Sequence, residues 1–167
     1  RIRDRIAAAA DRAGRDAGEV KLVAVSKTHP TATLRQAMEL GLNVFGENRI
    51  QEAESKIVEI GREAAEWHLI GHLQSNKARR AIQLFDVIQS VDSLELAKRL
   101  ERICDEEGRD ELLVFVQVDL AGEDTKSGIP ERELGNVVAY LETCKRLKLI
   151  GFMLLPPYFA DPNNARP

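Results

Sequence analysis

Six short apolar runs alternate with amphipathic stretches along the 167 residues, one pair about every 25 residues, with no hairpin signal between them. This rhythm constrains the chain most, because a repeated strand-then-helix unit can be satisfied by few architectures. The expected strands are Lys21 to His29, Asn43 to Asn48, Trp67 to His72, Val87 to Val91, Leu112 to Val118 and Leu147 to Leu155. The expected helices cover residues 2 to 13, Thr31 or Thr33 to Leu40, Ile50 to Ile60, Asn76 to Leu84, Asp92 or Ser93 to Glu107, and Pro130 to Lys145. The strands read as continuous apolar runs, the mark of a parallel sheet covered on both faces. Two α/β architectures fit, an open doubly wound sheet and a (β/α)8 barrel. A doubly wound nucleotide fold wants a glycine-rich turn after its first strand, and Ser26-Lys27-Thr28-His29-Pro30 stands there instead. The expectation is a TIM-type barrel, a single domain over residues 1–167, with about six of its βα units in this chain.

The net charge of −3, with both signs interspersed, leaves no basic patch for nucleic acid. No apolar run approaches membrane-spanning length, and the charged, helical N-terminus does not read as a leader, so a cytoplasmic protein is expected. Cys104 and Cys144 fall at apolar helix positions and read as reduced core thiols. The chain begins at Arg1 and stops at Asn164-Ala165-Arg166-Pro167 with no element completed behind it, which suggests truncation at the C-terminal end.

In a barrel the site is built at the C-terminal ends of the strands. Here those ends carry Ser26, Lys27, Glu47, Asn48, His72, Asp92 and Asp119. Strand alternation places Val23, Val25 and Lys27 on one face, so Lys27 is expected to enter the barrel mouth over an apolar floor. Such a floor disfavours the ammonium form and supplies the neutral amine that condenses with an aldehyde, so the chemistry implied is a Schiff base. Other motifs carry less. His68 and His72 have a metal-type spacing, but on a strand and without an acidic ligand in register, so they read as packed or hydrogen-bonded imidazoles and no metal site is assigned. Gly122 with Lys126-Ser127-Gly128 lacks the spacing of a phosphate loop. Arg99-Leu100-Glu101-Arg102 reads as a solvated helix face, and no Ser-His-Asp or Cys-His set can be named.

Five segments carry a further message: Val-Ala-Val-Ser-Lys-Thr-His-Pro at 23 to 30, Phe-Gly-Glu-Asn at 45 to 48, Trp-His-Leu-Ile-Gly-His-Leu-Gln-Ser-Asn-Lys at 67 to 77, Lys-Ser-Gly-Ile at 126 to 129, and Gly151-Phe152-Met153 with Pro156-Pro157. Together they closely resemble the pyridoxal phosphate homeostasis proteins (YggS/PROSC family), in order along nearly the whole chain. The resemblance implies a fold like the N-terminal barrel of alanine racemase and pyridoxal 5′-phosphate held as an internal aldimine on Lys27. Asn48 and His72 would lie near the cofactor and Met153 beside its ring. It further implies a monomeric cofactor carrier without established turnover, acting in vitamin B6 and amino-acid homeostasis, with apo-enzymes that receive the cofactor as partners. Two alternatives stay open: a racemase-like or lysine Schiff-base enzyme, and an interaction module that no longer binds the cofactor. Relatives continue with two more βα units whose turns hold the cofactor phosphate, so the 167 residues alone are expected to bind it weakly or not at all.

Overall fold

A computed structural model describes residues 1–120, 127–156 and 160–165. Seven parallel strands form one sheet: β1 Ala24–Val25, β2 Val44–Glu47, β3 Glu66–Leu69, β4 Val87–Val91, β5 Leu112–Asp119, β6 Ile129–Pro130 and β7 Leu147–Leu154. The long helices are α1 Ile2–Arg12, α2 Thr31–Glu39, α3 Ile50–Ile60, α4 Ala78–Leu84, α5 Leu94–Glu106 and α6 Glu131–Thr143. The strands lie in chain order from β1 to β5, and β7 takes the other edge of β5. Val118 faces both Ile129 and Leu154, so the two-residue β6 occupies the edge of β5 beyond β4 while β7 holds the opposite edge. The result is the six parallel strands expected, five of them followed by a helix among the described residues, plus one minimal strand that no apolar run announces.

Alternation along the strands builds the core between sheet and helices. Leu112, Val114, Val116 and Val118 are buried at every second position of β5. On β2 and β3 the paired residues Phe45 and Trp67 face the same way, with ring centroids 5.6 Å apart. Leu34, Ala53, Ile57, Leu96 and Leu100 bring α2, α3 and α5 onto this surface. Each fully buried leucine or isoleucine here is worth about 1.5–3 kcal/mol relative to exposure. Local signals set the ends of the helices. The Ser93 hydroxyl accepts the Leu96 N–H and caps α5, and Gly61, at φ 107°, stops α3 in a conformation that side chains avoid.

Several expectations change. The first strand is only Ala24–Val25, paired among the described residues with β2 alone; Lys21 is exposed and Val25 is half exposed. α2 starts behind Pro30 without a side-chain cap, and the Thr31 hydroxyl donates to Glu59 instead. α6 begins at Glu131, since Pro130 is spent on β6. The opening helix buries only Ala10, and its Ile2 is exposed. The stretch Arg99 to Arg102 is not simply solvated. Leu100 is fully buried, and the Glu101 carboxylate accepts the N–H groups of Lys145, Arg146 and Leu147, tying α5 to the start of β7. Gly122, Lys126 and Pro157 lie outside the described residues. Cys104 and Cys144 are free thiols, and burial pushes both up to about 11, which keeps them protonated and unreactive.

Candidate functional site

The polar strand ends divide into two sets by the parity of the strand. Phe45 points to the helix layer, so Glu47 does too. By the same count Gly46 and Asn48 point inward, and Val25 and Lys27, level with them on β1, also point inward.

The inward set meets in one cavity of about 380 Å³ at the C-terminal ends of the strands. Lys27, Asn48, His72 and Gln117 are its polar walls, and Val25, Ile70, Met153 and Leu155 its apolar ones. The structure thus brings together Lys27, Asn48, His72 and Met153. Gln117 went unnoticed in the sequence, although it shares the parity of Phe115. It is buried, and its side-chain amide donates to the Ser127 carbonyl at 2.5 Å, fixing the wall that β5 and Ser127 supply. Gly71 is required by close approach. A Cβ there would sit 2.3 Å from the Asn48 carbonyl oxygen, so only glycine lets the end of β3 press against the residue after β2 and place Asn48 and His72 side by side.

His72 is paired. Its Nδ1 lies 2.8 Å from Asp92 Oδ2, and Asp92 is thereby free of the helix cap that Ser93 provides. The two histidines do not act together, and each has an acidic neighbour against expectation: Glu66, two residues before His68 on the same face of β3, and Asp92, at the end of β4, beside His72. His68 is buried below the cavity, with Nδ1 accepting from the Gln89 amide at 2.7 Å and Nε2 donating to Glu66 at 2.8 Å. Burial outweighs the Glu66 carboxylate and lowers the His68 pKa, so the ring is neutral.

The apolar enclosure expected around the amine is one-sided. Lys27 is exposed, and among the described residues no strand lies beyond β1.

The outward set is a buried charge cluster. Lys56, on α3, is 6 % exposed and donates to Ser26 O, Glu47 Oε1 and Glu52 Oε1, each at 2.7 Å. The Ser26 hydroxyl donates to Glu47 Oε1 at 2.6 Å, and Glu52 Oε1 also accepts the Thr28 N–H at 2.5 Å. The Lys56 ammonium and the Thr28 N–H hold the Glu52 carboxyl below its ordinary range. Thr28 has φ 65°, unique among the described non-glycine residues. For a β-branched side chain such backbone costs about 1–3 kcal/mol and persists only where neighbours enforce it. Lys56 escaped notice because a lysine in a helix with Glu52 one turn before it reads as a solvated pair. Its place three residues after Ala53 on the apolar stripe was the available signal.

The alanine racemase N-terminal domain family matches residues 1–166. The pyridoxal phosphate homeostasis protein of Escherichia coli (strain K12) is 41% identical over 160 residues, which span 93% of this chain and 67% of that protein. The structure of PipY from Synechococcus elongatus PCC7942 with PLP bound superposes with a TM-score of 0.80 at 39% identity, over 95% of this chain and 72% of that one. An alanine racemase from Clostridium difficile 630 aligns with a TM-score of 0.67 over 81% of this chain and 35% of the racemase, and at 15% identity speaks for the fold alone. Five parallel βα units and a further long parallel strand with a cavity at their C-terminal ends, and a match of this extent, place the chain in the pyridoxal phosphate homeostasis protein family, on a barrel of the alanine racemase N-terminal type.

Proposed function

We propose that this chain binds pyridoxal phosphate through the Lys27 amine and serves to hold the vitamin rather than to turn over a substrate. The observation that carries the reading is the cavity itself, where one lysine shares a space with Asn48, His72 and Met153. The residues present fit the group. A flat pyridine ring suits the apolar walls of Val25, Ile70 and Met153, and ring substituents meet hydrogen-bonding side chains in Asn48 and His72. When bound, the cofactor supplies an aldehyde carbon that condenses with a primary amine, losing one water. Lys27 presents that amine from the end of β1. Asn48 and His72 orient the ring by hydrogen bonding, and Asp92 fixes the His72 imidazole. Met153, on β7, closes the cavity from the other side.

Among the described residues that line this cavity Lys27 carries the positive charge, and Arg49 and Lys77 line the adjoining space that shares Asn48 and His72. Cytoplasmic residence and delivery of the vitamin to apo-enzymes belong to the same proposal.

Titration of the chain with pyridoxal phosphate tests it. A visible absorbance band, fixed by borohydride as a pyridoxyl group on Lys27 in peptide mapping and lost in Lys27→Ala, is the expected result. Reduction that labels surface lysines indiscriminately overturns it. One observation favours a second reading: the His72–Asp92 pair is an oriented acid–base group at the cavity. If it acts, an added amino acid loses its chirality steadily in the presence of cofactor, and His72→Ala stops the loss.

A further inference from the structure

We propose that Lys56, Glu47 and Glu52 are positioning residues for Lys27, holding the turn from Ser26 to His29 in the one conformation that presents the Lys27 amine to the cavity. The proposal rests on the reading of Lys27 as the cofactor amine, and its test separates the two.

Lys27 is the second residue of a four-residue turn closed by the His29 N–H on the Ser26 carbonyl at 3.1 Å. A positive φ at the third residue but not at the second makes it a type II turn, which ordinarily requires glycine at the position held by Thr28. Types I and II differ by a flip of the central peptide, the Lys27 carbonyl with the Thr28 N–H. Threonine favours type I. The Glu52 carboxylate accepts that Thr28 N–H at 2.5 Å and so opposes the flip. On the other side of Lys27, the Lys56 ammonium holds the Ser26 carbonyl at 2.7 Å. Both peptide groups adjoining Lys27 are therefore gripped by one charge cluster.

The cluster itself is turned away from the cavity. Glu47 is fully buried, its Oε2 has no hydrogen-bond partner among the described residues, and neither it nor Lys56 lines the space beside Lys27. It cannot touch a ligand and acts only through the backbone of the turn. A lysine normally runs its stem along the surface to put the ammonium in water; Lys56 forgoes this to reach Ser26.

The test compares the chain with Glu52→Ala, Glu52→Gln and Glu52→Ala/Thr28→Gly. Each is titrated with pyridoxal phosphate. Each is also treated with salicylaldehyde and borohydride, followed by peptide mapping of label on Lys27 against the exposed Lys148. Glu52 lies at the margin of the cluster, and Glu52→Ala is expected to melt within a few degrees of the parent. We expect it to lose about tenfold in cofactor affinity and about threefold in Lys27 preference. Glu52→Gln keeps an acceptor for the Thr28 N–H and recovers both. The glycine double variant recovers the preference as well, because glycine takes positive φ without help; a role in stability alone would not produce that rescue. Should Glu52→Ala fail to fold, loss in Glu52→Gln of the parent's labelling pattern overturns the proposal. Parent-like affinity and labelling in Glu52→Ala overturn it, as does a parent that labels Lys27 and Lys148 alike. A parent that takes no pyridoxal phosphate but labels Lys27 preferentially, with the preference lost in Glu52→Ala, refutes the cofactor reading and supports the positioning role.

Discussion

Replacing Lys56 by methionine tests whether the buried cluster is a structural keystone as well as a guide for Lys27. Methionine keeps the length of the stem and removes only the ammonium. Three acceptors lose their donor at once: Ser26 O, Glu47 Oε1 and Glu52 Oε1. Glu52 can turn to solvent and Ser26 O keeps the His29 N–H, but Glu47 is 0 % exposed and retains only the Ser26 hydroxyl at 2.6 Å. Breaking a buried pair from one side costs about 3–5 kcal/mol, because the remaining charge is left uncompensated. For a domain of this size that corresponds to a fall in melting temperature of about 6–20 °C.

The second variant, Lys56→Met/Glu47→Gln, removes the charge while keeping an oxygen for Ser26. It should recover at least about 2 kcal/mol of the loss, a coupling typical of groups in direct contact. Urea unfolding followed by the fluorescence of Trp67, the sole tryptophan and fully buried, reads both numbers. A loss below about 1 kcal/mol in the single variant would mean that water or relaxation shields Glu47. A double variant no more stable than the single would show that the cost lies in packing rather than charge. Either result refutes the account.

Three further outcomes follow from the same geometry. Gly71→Ala places a Cβ 2.3 Å from the Asn48 carbonyl oxygen, a clash with backbone that must push the two strand ends apart. A stability loss of about 1–3 kcal/mol in urea unfolding, with loss of pyridoxal phosphate binding beyond it, is expected. His68 has a lowered pKa in the folded chain against 6.5 for the free side chain, so the unfolded chain takes up the proton first. Stability is full above about pH 6.5 and falls as pH drops toward the lowered value; in His68→Gln the urea midpoint should lose this component of its pH dependence. Glu101→Ala removes the acceptor for three N–H groups at the start of β7, and faster amide exchange at Arg146 and Leu147 than at Leu96 is the expected signature.

The sequence carried the architecture because the strands here are periodic in two ways. Apolar runs mark where the sheet passes, and helix stripes such as Leu94, Ala97, Leu100 and Cys104 mark what covers it. α3 begins and ends where its apolar spacing and Gly61 predict. β6 was invisible because two residues carry no period, and their pairing depends on β5 outrunning β4. The solvated reading of Glu101 fails, and Lys56 stays hidden, for a related reason. Both are charged residues on helices with ordinary solvated-pair spacing, and only the rotation of the helix about its axis decides that Glu101 meets the start of β7 and Lys56 meets Ser26. That rotation is set by the whole apolar stripe and cannot be read at a single charge.

The ring of polar strand ends was read as one set, and parity separates it into two. Ser26 and Lys27 are adjacent, as are Glu47 and Asn48, yet each pair sends one member to the helix layer and the other to the cavity. The four residues therefore cannot vary independently. A change that weakens the outward contacts of Ser26 or Glu47 loosens the same peptide groups that aim Lys27 and Asn48 inward, so losses of stability and of cofactor retention should track each other across substitutions at Ser26, Glu47 and Lys56. Substitutions at Met153 or His72, which touch the cavity but not the cluster, should lower retention while leaving the urea midpoint nearly unchanged.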